Sequence, residues 1–523
     1  MPLGVVRTDE LTEDQIRELE GELEALCASV DDVFARPASR ENLRAMVRGL
    51  LSEVPRKNLW QLAEAAGHPN PDRLQGFLAK AAWDADELRD RVRAFAVAAL
   101  AADDAVLIAD ETGDIKKGTK TAGVQRQYTG TAGRVENAQV SVHLSYGSGK
   151  GRTLIDSELY LGRNWAGTTA EHERRCAEQG IPPERASAVA TKPELARRML
   201  ERALAASVPF TYFLADEAYG QCRALRAWLE EHQVRYVLAI PKNEVLPLPD
   251  GRTRQARELW ALVPQDAFER RSCADGSKGP REYDWATVQL ASTSAGLERH
   301  LLIRRSTVPN KKDKKTGELV QEIAYFLCHT HPDTTLAEMV VAAGQRWMVE
   351  ESFQVAKGQV GLDEHEVRKW CSWYRHTTLC RSPWSSWSPS GAGSYQPRRR
   401  HPAPDRERDP PPVRPDRARS RPRRPDLAGH ALAPLAHPPP SPSPNQPLPH
   451  PSSPRSLTVK PPAVVLEAWQ AATEDERRGL LALALDGVCV RRKFGAGRTK
   501  VTADRFHYAW AGYTRIVDLP RPE

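Results

Sequence analysis

The stretch Ala105-Val106-Leu107-Ile108-Ala109-Asp110 decides the fold. Five apolar residues with neither helical nor alternating rhythm, closed by an acid, read as a strand covered on both faces. Such strands belong to sheets flanked by helices. A second stretch, Phe210-Thr211-Tyr212-Phe213-Leu214-Ala215-Asp216, also ends on an aspartate. A carboxylate at the end of a buried strand lies at the sheet rim, where ligands of α/β proteins bind. A third acid, Glu350, closes Arg346-Trp347-Met348-Val349-Glu350, and Lys357 follows seven residues on. Two strand-end aspartates and a helical glutamate form an all-oxygen cage suited to hard divalent cations such as magnesium. On one helix, Arg346, Glu350 and Lys357 share a face, so cations flank the carboxylate where they can clamp phosphates. A surface ion-pair row has the same spacing.

Outward from Asp110, residues 101–241 alternate strand and helix signals. Ala105–Asp110, Ala138–Ser145 and Thr153–Leu161 read as three strands, Lys192–Ala206 as a helix, and Phe210–Asp216 as a fourth strand. Cys222–His232 then reads as a helix and Arg235–Ile240 as a fifth strand. Three neighbouring strands followed by crossover units predict an α/β fold, a ribonuclease H-like mixed sheet. Residues 1–100 read as a helical domain, with segments at 11–27, 40–51 and 84–100 fit either for packing or for gripping DNA. Residues 242–335 read as a β-rich insertion carrying the basic turn Asn310–Gly317, and residues 336–382 as the return to the core with the helix of the third acid.

The chain has 523 residues, enough for several domains. Its 75 basic residues are nearly offset by 68 acidic ones, so the net charge of +7 favours a polyanionic partner only weakly. Eight cysteines without CxxC spacing suggest reduced thiols rather than a zinc ribbon or a disulfide framework. The cluster Cys328, His329 and His331 lacks a second half for a zinc site. No apolar run approaches the ~20 residues of a membrane helix, and the N-terminal stretch lacks a signal-peptide core. A cytoplasmic, nucleoid-associated protein is expected.

Together these segments resemble the DDE transposases of bacterial insertion sequences, and more narrowly the subgroup with a β-rich insertion between the second and third acids. The resemblance is carried by Leu107–Gly113 with Lys116-Lys117-Gly118, by Gln125-Arg126-Gln127-Tyr128-Thr129-Gly130 and Asn137-Ala138-Gln139, and by Asp216-Glu217-Ala218-Tyr219-Gly220. Arg346–Phe353, Gly361-Leu362-Asp363 and Trp373-Tyr374-Arg375-His376 complete it. The family pattern around the third acid is Tyr, Arg, Glu, Lys; Arg346, Glu350 and Lys357 match, whereas Ala343 stands at the Tyr position. The resemblance implies catalytic and metal-binding roles for Asp110, Asp216 and Glu350, holding two Mg2+ ions with Mn2+ as a substitute. It implies DNA contacts by Lys116, Lys117, Arg346 and Lys357, and a homodimer assembled on element ends and target DNA. A catalytically inactive, DNA-binding remnant is the alternative. Trp260, Trp285 and Trp347 are expected in the core.

Residues 383–462 are of different material. They hold 23 of the 41 prolines, with arginine-rich runs, and read as a disordered Pro/Arg-rich segment. Where the resemblance implies an apolar helix after Leu379, the text reads like that of a frameshifted or fused GC-rich gene. Residues 463–523 read as a small α/β appendage, with helices at 463–472 and 474–486 and strands at 487–492 and 505–510.

Overall fold

The apolar run at residue 105 starts a strand because its side chains have apolar partners on both sides. In this computed structural model Val106, Leu107, Ile108 and Ala109 are all fully buried. Val106 and Ile108 face one core with Leu214, and Leu107 and Ala109 face the other with Phe213 and Ala215. Full burial of each large aliphatic contributes ~1.5–3 kcal/mol. The structure describes residues 13–276, 279–292, 296–313, 317–381, 485–490, 506–510 and 516–517. The chain divides into two units, Met1–Ala403 and Pro404–Glu523.

The first unit opens with helices α1 (Glu13–Ser29), α2 (Pro37–Leu51), α3 (Leu59–Ala65), α4 (Asp72–Ala79) and α5 (Ala85–Leu100). Pro37 takes the first turn of α2, where a missing N–H costs nothing, and Asp84 caps α5 by accepting from Asp86 N. α3 and α4 are two short helices without an expected counterpart. An aromatic cluster of Phe34, Phe77 and Trp83 ties the block together, and the Trp83 indole donates to Phe77 O at 2.8 Å.

Strands β1 (Val106–Ile115), β2 (Gln125–Thr129), β3 (Arg134–Ser148) and β4 (Gly151–Leu159) follow. Then come α6 (Ala170–Gln179), α7 (Pro183–Ala186), α8 (Lys192–Ala205), β5 (Tyr212–Ala215), α9 (Glu217–Gly220), α10 (Arg223–Glu231) and β6 (Tyr236–Ile240). α8 starts at a full capping box, Thr191 with Glu194. β1 pairs parallel with β5 and β5 parallel with β6, while β2, β3 and β4 are antiparallel neighbours, so the sheet is mixed as expected. β2 is a strand that the apolar pattern does not reveal.

After β6 come the small hairpin β7 (Val245–Pro247) and β8 (Thr253–Gln255), α11 (Ala256–Leu262), β9 (Glu269–Gly276), β10 (Gly279–Gln289) and β11 (Glu298–Ser306). The basic turn forms a two-strand ribbon, β12 (Lys311–Lys312) with β13 (Leu319–Val320), before β14 (Ile323–Thr330). The longer insertion strands β9, β10, β11 and β14 do not build a sheet of their own. β14 pairs antiparallel with β6, and one ten-stranded sheet runs β2-β3-β1-β5-β6-β14-β11-β10-β9, with β4 on β3.

α12 (Leu336–Gln345), α13 (Met348–Gly358) and α14 (Trp370–Cys380) close the unit. The expectation of one helix carrying Arg346, Glu350 and Lys357 is corrected here. The helix breaks, Arg346 and Trp347 form the joint, and Glu350 sits in the first turn of α13. Both joint residues keep right-handed helical dihedrals. α12 crosses β9 at Gly344, where an added Cβ would lie 2.0 Å from Cys273 O.

In the second unit β15 (Leu485–Val490), β16 (Phe506–Trp510) and β17 (Ile516–Val517) form an antiparallel sheet, near the two strands expected there. The Pro/Arg-rich segment 383–462 with its frameshift reading, and the helices expected at 463–472 and over most of 474–486, lie outside the described residues.

Candidate active site

Ala109 of β1 and Ala215 of β5 are in register on parallel strands ~4.8 Å apart, so Asp110 and Asp216 are the next residues of the two neighbouring segments. β5 ends at Ala215, and Asp216 becomes the N-cap of α9, accepting from Ala218 N at 2.9 Å. Gly220 at the end of α9 lets this turn press on β6, because a Cβ there would stand 1.9 Å from Ala239 O. β1 does not end at Asp110, as expected from the sequence, but runs on to Ile115 against β3. Asp110 is therefore buried within a strand, 8% exposed.

Two such carboxylates repel each other in a poorly hydrated place. Burial, and then the charge of Asp216, push the Asp110 carboxyl up to about 7. Burial, and then the charge of Glu111, push Asp216 up as well. The Arg346 guanidinium opposes both shifts, lying 3.4 Å from Asp110 Oδ2.

Glu111 points to the opposite face of β1 and holds the rim together. Its carboxylate accepts from Lys192 Nζ at the start of α8 at 2.5 Å and from Tyr219 Oη of α9 at 2.9 Å. These three residues do not stand out in the apolar pattern. The visible signal was the acid directly after Asp110 and a tyrosine three residues after Asp216.

α13 lies over β3 and β1. Ser352 Oγ meets Ser145 Oγ at 3.0 Å, Phe353 packs edge-on against His143, and Lys357 Nζ reaches Asp114 Oδ1 at 3.2 Å. The structure thus brings Asp110, Asp216 and Arg346 together. Glu350 is exposed, one turn beyond Arg346 and on the same side of α13 as Lys357. Among the described residues no three His, Cys, Asp or Glu side chains gather as a ready cation-holding group. Glu351 points elsewhere and pairs with Arg152 at 2.7 Å.

The expected DNA-contacting cations differ in their surroundings. Lys117 is exposed. Lys116 is turned inward, donating to His365 O at 3.0 Å, and burial lowers its ammonium pKa. Lys357 is held by Asp114 and by Gly113 O. Trp285 is core, but Trp347 is 47% exposed with the Arg281 guanidinium 4.6 Å from its ring centre, which corrects its expected burial. Cys328 and His329 are buried in β14, with His329 Nδ1 against Val234 O.

Asp110 and Asp216 suit a divalent cation: they are adjacent and oxygen-only, Asp110 buried and Asp216 half-buried, and Asp110 is destabilised by a repulsion that a cation relieves. Glu350 stands in the first turn of α13.

Two family models match this region. One, described as DDE superfamily endonuclease, matches residues 29–261; the other, described as transposase DDE domain, matches residues 182–372. The chain is also 30% identical over 354 residues to the probable transposase for insertion sequence element IS701 of Microchaete diplosiphon, covering 65% of this chain and 80% of that protein. No helix among the described residues is long and apolar enough to cross a membrane.

Proposed function

Because this chain belongs to the DDE transposases of insertion sequences, we propose that it cuts DNA at the ends of its element and joins the freed 3′ hydroxyls to target DNA. The observation that carries this is the register of β1 and β5, which delivers Asp110 and Asp216 to one point beside Arg346. In this reading Asp110, Asp216 and Glu350 hold two magnesium ions, replaceable by manganese. Bound there, the ions lower the pKa of the attacking water or hydroxyl and stabilise the leaving oxyanion.

The chain's own residues do the rest. Arg346, released from Asp110 as the acids are neutralised, binds the scissile phosphate as a planar double donor. Lys117 contacts the DNA backbone from the β1–β2 loop. Lys116 and Lys357 act from behind, fixing the loop and α13 relative to β1. Glu111, clamped by Lys192 and Tyr219, keeps β1 at Asp110 level with the end of β5. Working on two element ends, the protein acts as a homodimer on DNA, in the cytoplasm at the nucleoid.

The test is a strand-transfer assay with a plasmid bearing the DNA that flanks the gene. Joined products are expected with magnesium or manganese. They are expected to vanish in Asp110→Ala, Asp216→Ala and Glu350→Ala. Joining that survives in either aspartate variant overturns the assignment.

A further inference from the structure

The segment Gln125–Gly130, prominent in the sequence, has no part in the site just described. Two of its residues have structural partners: Gln125 Oε1 accepts from Asn164 N at 3.1 Å, and Gln127 Nε2 donates to Ala138 O at 2.7 Å. Asn137 likewise holds the preceding loop, donating to Lys116 O and Gly118 O. Arg126 and Tyr128 are different. Both are exposed, Tyr128 by 60%, and no hydrogen bond or ion pair engages either among the described residues.

Strand register fixes where they stand. Residues directly opposite in an antiparallel pair share a face, and alternate residues share it along a strand. Asp110 pairs with His143 of β3, while Asn137 and Val135, on the same face of β3, pair with Arg126 and Tyr128. Arg126 and Tyr128 therefore project from the Asp110 face of the sheet. The separations along β3 are six and eight residues, about 20 and 26 Å at ~3.3 Å per residue. Duplex DNA advances 3.4 Å per base pair, so this corresponds to about six to eight base pairs. Between the two points α13 lies on this face, with Phe353 on His143 and Lys357 paired with the acid Asp114, and the helix ends at Gly358. Val135, 50% exposed, lies across from Tyr128 and completes an apolar tip beside the Arg126 charge.

We propose that the β2–β3 hairpin is a DNA-docking arm. Arg126 contacts a backbone phosphate, and Tyr128 with Val135 packs on the sugar face, about six to eight base pairs from the bond cut at Asp110. This rests on the DNA-cutting reading above and extends it to a second contact on the same duplex. An aromatic and an arginine on a flat strand face suit the duplex backbone, and such contacts fix register without reading sequence.

The test is binding of the full chain, without divalent metal, to labelled duplexes from the DNA flanking the gene, extending about 4, 8 and 16 base pairs inward from the cut. Wild type is expected to gain about tenfold or more in affinity between the first and second lengths. Arg126→Ala/Tyr128→Ala is expected to lose that gain, and Arg126→Ala alone to lower the salt slope of log K by about one. Thermal melting checks that both variants, changed only at exposed positions, stay folded. An equal length dependence in wild type and the double variant overturns the arm. Wild type binding no duplex of any length overturns the DNA-cutting reading together with the arm. Joining that is lost in Asp110→Ala while the arm variants bind as wild type sinks the arm alone.

Discussion

Asp156 of β4 and Asp110 of β1 are both carboxylates sunk in the same sheet, 0% and 8% exposed. Around Asp156 the chain supplies three guanidiniums: Arg202 at 2.8 Å, Arg381 at 3.5 Å and Arg89 at 3.8 Å. Burial alone would raise its pKa, but Arg202, Arg89 and Arg381 outweigh burial and hold it below the usual carboxylate range. Around Asp110 there is one arginine at 3.4 Å and a second carboxylate, and the shift is upward. Both sites cost desolvation, and only one is neutralised from within. A buried acid that the fold leaves uncompensated is a place prepared for an outside charge. The Asp156 cluster instead ties α5, α8 and α14 to the sheet.

The contrast is broken or sharpened by substitution. The largest effect is expected on catalysis. Asp110→Ala or Asp216→Ala should lower joining at least about a thousandfold, ~4 kcal/mol in barrier, while the melting temperature in metal-free buffer stays level or rises. Arg202→Ala should do the opposite, costing about 3 kcal/mol in denaturant unfolding by taking the nearest of three guanidiniums from Asp156 and one of two from Glu158. A loss below about 1 kcal/mol there would remove the distinction between the two acids.

Titration provides a sign as well as a size. The folded-state pKa of Asp110 is raised to about 7 from 3.8, so its contribution to stability is present at low pH and is lost as pH rises through about 7. Metal-free Asp110→Asn should therefore be more stable than wild type at pH 8, on the order of 2–4 kcal/mol, with the gap closing toward pH 4. Asp156→Asn should show the reverse slope, its deficit shrinking as pH falls. Magnesium, competing with the Asp110 proton, should protect against unfolding far better above pH 7 than at pH 5. Equal protection at both would uncouple cation from carboxylate.

The smallest effect concerns the turn that presents Asp216. Gly220→Ala places a methyl against Ala239 O, and should cost about 1–3 kcal/mol in stability. It should also lower joining beyond the unfolded fraction, because Asp216 moves with α9.

Much of this site was legible because the decisive strands are self-announcing. A run of five apolar residues ended by an acid at Asp110, and a similar run ended at Asp216, need no partner to be recognised. What depends on remote pairing was not legible. β2 alternates polar residues, Gln125-Arg126-Gln127, and is a strand because β3 offers it a ladder. The break at Arg346–Trp347 has no proline to mark it, and it lies just after the place where α12 meets β9 at Gly344. Glu350 shares a side of α13 with Lys357 as its spacing suggests, yet its carboxylate is exposed rather than gathered beside Asp110.

The junction of β6 with β14 has a mechanical consequence. Five in-register pairs, Ile240 with Tyr325 through Tyr236 with His329, weld the inserted strands to the core. A module joined in this way cannot swing as a hinged lid without tearing a row of hydrogen bonds. Whatever clamps down on a bound duplex must come from loops, side chains or a second molecule, while the ten strands serve as a stiff plate on which the carboxylates keep their spacing.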